Sequence, residues 1–210
     1  MKFLKRLLKP LVEVFKQPIN EIVHRKEWPP LFSLLDSLPS SPKVLEVGCG
    51  RGYSLPVIID YFHPRKIVAF DLDGEELKEA EKLRQEKKME NVEIMELDAT
   101  SLPFPDGSFD LVLISAVLHH IKEWRKAVSE ASRVLAPGGY MVLKEPLKKS
   151  FEVKPINPFY KWYDSPASLF TEQEVRKSLE DNKLSIKFWE YRGLYGRLFK
   201  CSFRAVCRKR

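Results

Sequence analysis

Cysteine is scarce in this 210-residue chain: Cys49, Cys201 and Cys207, with no CxxC pair among them. An odd, scattered set excludes a disulfide framework and a thiolate zinc site, and it leads to the expectation of a reducing, cytoplasmic compartment. No metal is expected. Long apolar runs are missing too. No stretch of 18 uncharged apolar residues exists, so no transmembrane helix is expected. The opening MKFLKRLLKPLVEVFK is broken by charge every few residues and lacks the 7–15-residue apolar run of a signal peptide. Nine glycines and fifteen prolines fall without period, which excludes collagen-like and low-complexity chains. Side-chain amides are few, three Gln and four Asn beside many Lys and Glu, a bias found in heat-adapted proteins.

What is present is an ordinary globular composition, 44% hydrophobic and 31% charged, which can build a core and excludes disorder. The length fits one domain more comfortably than two. The net charge of +7 is unevenly placed. Residues 1–26 carry seven basic and two acidic side chains, and residues 184–210 carry eight basic and one acidic. The middle is therefore mildly acidic, which argues against a nucleic-acid groove there. The basic ends permit contact with an anionic surface, membrane or RNA. In residues 2–17, Leu4, Leu7, Leu8, Leu11 and Phe15 stand at helical spacing among lysines and Arg6. That is an amphipathic basic helix, suited either to a membrane surface or to packing on the domain, with a bend expected near Pro10.

A second helix is expected over about 19–38, interrupted at Trp28-Pro29-Pro30. Residues 1–40 thus form an N-terminal helical part ahead of a domain at 41–210. Strands then alternate with helices: strands at 43–47, 66–70, 92–97, 109–115 and 140–144, and helices at 55–62, 75–88 and 124–135. The last of these helices is expected to stop at Pro137-Gly138-Gly139. Such alternation implies a parallel sheet covered on both faces. Residues 147–169 break the pattern and concentrate aromatics, including Phe151, Phe159, Tyr160, Trp162 and Tyr163. They read either as a lid over an apolar ligand or as a packed surface loop. A helix at 171–181 follows, with Thr171 and Glu174 in capping-box spacing. Strands at 185–191 and 200–208 then form an antiparallel pair.

The informative segment is Val44-Leu45-Glu46-Val47-Gly48-Cys49-Gly50-Arg51-Gly52. A buried strand runs into three glycines spaced two apart, which lets a ligand lie against bare backbone at the start of a helix. A dinucleotide site wants G-x-G-x-x-G. Here the third glycine comes one position early, and Tyr53 stands where that pattern requires glycine.

E-x-G-x-G-x-G after the first strand resembles motif I of the class I S-adenosylmethionine-dependent methyltransferases. The resemblance continues through Asp71, Leu97-Asp98-Ala99, Leu102–Asp110 (LPFPDGSFD), Ser115–Ile121 (SAVLHHI) and Arg133–Gly139 (RVLAPGG), in order over residues 41–146. It is nearest to the type 11 group, which includes ubiquinone and menaquinone C-methyltransferases. It implies a Rossmann-like seven-stranded sheet, mostly parallel with an antiparallel C-terminal strand and helices on both faces, and S-adenosyl-L-methionine as cofactor. It further implies that Glu46, Gly48, Gly50 and Gly52 meet the methionine part, Asp71 the ribose hydroxyls, and Asp98 and Ala99 the adenine. Leu72 and Leu102 flank the ring or pack in the core, and Ser115 is a further cofactor-binding residue. Asp73 is expected to cap the next helix, and Asp110 to hold the sheet. Cys49 is expected to fill space. His119, His120 and Glu145 are the candidate catalytic groups. Either imidazole could take a proton from the acceptor, or one could pack in the wall while the other faces solvent.

The implied acceptor is a small, apolar or lipid-like molecule. RNA or protein methylation is the rival reading, supported by the basic ends. It is weakened by Ser115-Ala116-Val117, which supplies neither N/D-P-P-Y/F nor Pro-Cys. A third reading is a non-catalytic cofactor-binding protein on the same fold.

Overall fold

The computed structural model describes residue 22 and residues 24–152, 167–192 and 202–210. A short helix α1 (Pro29–Phe32) precedes β1 (Lys43–Val47), α2 (Leu55–Phe62), β2 (Lys66–Asp71), α3 (Gly74–Glu86) and β3 (Val92–Glu96). Then come β4 (Phe109–Ser115), a 3-10 turn (Leu118–His120), α4 (Trp124–Val134) and β5 (Leu135–Pro146). A second 3-10 turn (Lys148–Phe151), α5 (Glu172–Asp181), β6 (Leu184–Tyr191) and β7 (Ser202–Lys209) complete the described elements.

The sheet runs β3-β2-β1-β4-β5-β7-β6. Only β7 opposes its neighbours, pairing antiparallel with β5 and β6. This is the Rossmann-like arrangement the motifs imply. Strand alternation sends Leu45, Val68, Val112 and Met141 to one face, where Ala127, Val128 and Ala131 of α4 and Val175 and Leu179 of α5 cover them. Val44, Ile67, Leu111 and Val142 face the other way, against Phe32, Leu55, Ile58 and Leu77 from α1, α2 and α3. Trp28 and Phe32 are almost wholly buried there, so the chain just before β1 packs in the same core as the sheet.

Two expected elements differ. The helix expected over 19–38 reduces, among the described residues, to helical residues at 22 and 24–27 and the four-residue α1. Pro29 and Pro30 start a new first turn, where missing N–H groups cost nothing, but cannot continue an existing one. The strand expected at 140 begins at Leu135, opposite Phe109. Pro137-Gly138-Gly139 forms a bulge inside β5, where a Cβ on Gly139 would lie 2.8 Å from the Asp110 carbonyl oxygen. The expected capping box on α5 is present, with Thr171 and Glu174 each bonding the other's backbone. The amphipathic stretch 2–17 and most of the aromatic insert 147–169 lie outside the described residues.

Arg133 ties two of the sequence motifs together. Its guanidinium donates to the carbonyls of Leu102 and Phe104 at 2.9 and 2.7 Å, to Asp106 at 2.8 Å, and to both oxygens of Glu130. These carboxylates push its pKa upward. The turn after β3 is thereby fastened to α4. Arg133→Ala strips donors from two backbone carbonyls, and a loss of about 1–3 kcal/mol in urea unfolding is expected. An unchanged midpoint would show the clamp to be superficial.

Candidate functional site

The strand order reverses between β1 and β4, and in such sheets a crevice opens outside the carboxyl ends at that point. A cavity of about 490 Å³ lies there, within the range of small-ligand sites. The ends of four strands supply its lining: Gly48 after β1, Phe70, Asp71 and Leu72 at β2, Leu97, Asp98, Ala99 and Thr100 after β3, and Val117 and His120–Glu123 after β4.

The first loop is built on left-handed backbone: Gly48, Gly50 and Gly52 have φ of +69, +49 and +74°. Gly48 is also a point of close approach, since a Cβ there would sit 2.3 Å from Val117 Cγ2. Asp71 holds this loop against β2. Its Oδ2 accepts the Gly50 N–H at 2.8 Å, and its Oδ1 accepts those of Leu72 and Asp73 at 2.8 and 3.2 Å. A carboxylate has about four acceptor positions, so a diol at Asp71 would share or replace one of these amides. Asp73 accepts from Glu75 and Glu76 N–H, the helix cap expected of it.

Glu46 is 5% exposed on the α2–α3 face of β1. Ser54 donates to its Oε1, while its Oε2 is buried with no hydrogen-bond partner. Burial pushes its pKa up to about 7; the Ser54 bond opposes this and the charge of Asp71 adds to it. A buried carboxylate oxygen without a partner is costly unless something binds it. Across the crevice, Asp98 is exposed and accepts the Thr100 N–H at 2.8 Å, while Ala99 is buried. Leu72 is 68% exposed at the rim, an apolar surface open to a flat ring. Leu102 packs in the core and does not line the crevice, so of the two leucines only Leu72 is placed to flank a ligand. Ser115 ends β4 beside Lys144 and is likewise outside the lining, as are Glu46, Gly50 and Gly52.

The two histidines separate. His119 is 2% exposed, its Nδ1 2.8 Å from Glu145 Oε2, whereas the His120 ring is exposed on the crevice wall. Glu145 is 1% exposed and its other oxygen accepts the Val117 and Leu118 N–H groups, so it is not open to a substrate. Asp110 accepts from the Lys43 N–H and pairs with Arg65, a structural role at the opposite strand end. Cys49 is buried, with its thiol pKa well above the ordinary value, as a space-filling residue should be. Sequence reasoning missed Phe70, Leu97, Thr100, Val117 and Ile121–Glu123 as wall residues. Their position at, or within eight residues of, a strand's carboxyl end was the available signal.

Residues 45–143 match the family model for the type 11 methyltransferase domain. Over that stretch the chain carries a methyltransferase domain of this type. It is 37% identical over 101 residues to the uncharacterized methyltransferase YcgJ of Bacillus subtilis, covering 48% of this chain and 39% of that protein. It is 39% identical over 99 residues to the ubiquinone/menaquinone biosynthesis C-methyltransferase UbiE of Cronobacter sakazakii, covering 47% and 39%. The chain thus spans less than half the length of these relatives. A SAM-dependent methyltransferase from Methanosarcina mazei shares the fold at a TM-score of 0.68 and 22% identity, covering 87% of this chain and 97% of that one. The family's cofactor, S-adenosylmethionine, fits what the crevice offers. Its wall supplies a carboxylate, Asp71, for a diol and an apolar rim, Leu72, and on the adjoining β1 Glu46 holds an orphaned buried carboxylate oxygen suited to a cationic group.

Proposed function

We propose that this chain moves the methyl group of S-adenosylmethionine to a small apolar or lipid-like acceptor. The observation that carries the reading is the meeting of Gly48, Asp71 and Leu72 in one crevice at the sheet's switch point, with the unpartnered oxygen of Glu46 buried on the adjoining strand β1. Bound there, the cofactor supplies a methyl group already activated by its sulfonium. Glu46 and the glycine loop would bind the methionine end, Asp71 the ribose, and Asp98, Ala99 and Leu72 the adenine. Holding two reactants in line supplies about 7–11 kcal/mol of a typical barrier. An imidazole at the crevice wall is suited to take the acceptor's proton when neutral, which assigns that task to His120. His119 and Glu145 are buried behind it.

The lipid-like acceptor is supported by the aromatic composition of 147–169 and by the quinone named for the Cronobacter relative. The basic amphipathic stretch 2–17 supports peripheral contact with an anionic membrane. No helix among the described residues is long and apolar enough to cross one. Radiolabelled cofactor incubated with the chain and fractionated cell extract tests the reading. Label is expected in the apolar small-molecule fraction, and Asp71→Ala is expected to abolish it. Label in RNA or protein would overturn the choice of acceptor. Tight S-adenosylhomocysteine binding with no label in any fraction would overturn catalysis itself.

A further inference from the structure

We propose that Glu145 is a positioning residue for the crevice: its one buried carboxylate holds the turn that places Val117 and His120 in the wall. The inference rests on reading that crevice as the methyl-donor site. Glu145 Oε1 accepts the N–H groups of Val117 at 2.7 Å and Leu118 at 2.9 Å, and Oε2 lies 2.8 Å from His119 Nδ1. Three consecutive residues hang on one side chain. An ionised Glu145 can only accept, which places a proton on Nδ1 of His119.

The turn requires such support. Ala116, immediately before it, has φ +54°, a conformation that residues other than glycine rarely adopt. The turn then continues as a three-residue 3-10 segment closed by two backbone bonds, from His120 N–H to the Val117 carbonyl at 2.9 Å and from Ile121 N–H to that of Leu118 at 3.0 Å, which leaves the Val117 and Leu118 N–H groups to Glu145. Both consequences face the crevice. Val117 stands directly over the bare Cα of Gly48, and the His120 ring lies 4.2 Å from that of His119. The His119 carbonyl also accepts the Ser168 N–H at 3.0 Å, so the chain returning from the aromatic insert is tied to the same turn. Glu145 is not among the crevice residues and acts through the turn.

The test uses the full chain carrying 15N-histidine and labelled valine methyls, with Glu145→Gln as the decisive variant. Glutamine keeps a carbonyl oxygen for the two amides but turns an NH2 toward His119. The ring must then accept at Nδ1, and its proton moves to Nε2. The expected result is an Nδ1–H tautomer of His119 in the wild type and Nε2–H in Glu145→Gln. In the ligand-free variant the Val117 methyl and His120 ring signals also shift, and S-adenosylhomocysteine binds roughly tenfold more weakly. Glu145→Asp, which keeps the charge but shortens the reach, moves the same Val117 and His120 signals. An Nε2–H tautomer already in the wild type, unmoved Val117 and His120 signals, or a tautomer switch with unchanged affinity would each overturn the proposal. A wild type that binds no S-adenosylhomocysteine, yet shows the tautomer switch and the shifts, would refute the donor-site reading and leave the positioning role standing.

Discussion

Gly48→Ala is expected to abolish S-adenosylhomocysteine binding, weakening it more than a hundredfold, whereas Gly50→Ala keeps it within about tenfold. The two glycines look equivalent in the motif, and both lie in the left-handed region, where an L-residue costs about 1–2 kcal/mol. Their surroundings differ. A Cβ on Gly50 would have its nearest neighbour at 3.7 Å, the tip of Glu76, which is ordinary contact. A Cβ on Gly48 would lie 2.3 Å from Val117 Cγ2 and 2.5 Å from Val117 Cβ. Val117 has little freedom to retreat, because its N–H is held at 2.7 Å by buried Glu145. Either the glycine loop or the 117–120 turn must move, and both line or support the crevice. Overpacking of this kind adds about 1–3 kcal/mol to the backbone strain, so the melting temperature should fall further for Gly48→Ala than for Gly50→Ala. Calorimetric titration with thermal melts decides it. Equal damage from both substitutions would mean that the motif acts through the ligand alone and not through Val117.

This contrast shows what local sequence can and cannot carry. The strands at the centre of the sheet were legible because two-sided burial leaves near-continuous apolar runs such as KIVAF and FDLVLIS. The glycine register and the acids ending the second and third strands placed half of the crevice. The other half comes from the turn at 117–123, which depends on a carboxylate some 26–28 residues downstream in β5. No local periodicity encodes that contact. For the same reason His119 and His120 were indistinguishable as neighbours in sequence, although a tight turn buries one and presents the other. Pro137-Gly138-Gly139 reads as a helix stop because Pro-Gly-Gly usually punctuates. Only the close approach of Gly139 to Asp110 makes it part of β5.

Glu46→Gln should move stability and cofactor affinity in opposite directions, and the sign follows from the raised pKa. In the unfolded chain this carboxyl titrates near its ordinary value of 4.5, and in the folded protein at about 7. Below pH 4.5 it is neutral in both states and costs nothing. As pH rises from 4.5 to 7 the unfolded chain ionises first and folding loses stability. At about 1.4 kcal/mol per unit, the loss amounts to roughly 3 kcal/mol by pH 8. Glutamine cannot ionise, so the variant is expected to lie within about 1 kcal/mol of the wild type at pH 5 and to exceed it clearly at pH 8. The cofactor's cationic amino group reverses the balance. It supplies the charge that the buried oxygen lacks, so wild-type affinity for S-adenosylhomocysteine should rise between pH 5.5 and 8. The variant should bind at least tenfold more weakly at pH 8 and lose that rise, since a hydrogen bond to a charged group contributes about 1.5–3 kcal/mol. Thermal melts and calorimetry at the two pH values read both effects. A variant that melts below the wild type at pH 8, or a wild-type affinity flat across the range, would place the ligand's positive charge away from Glu46.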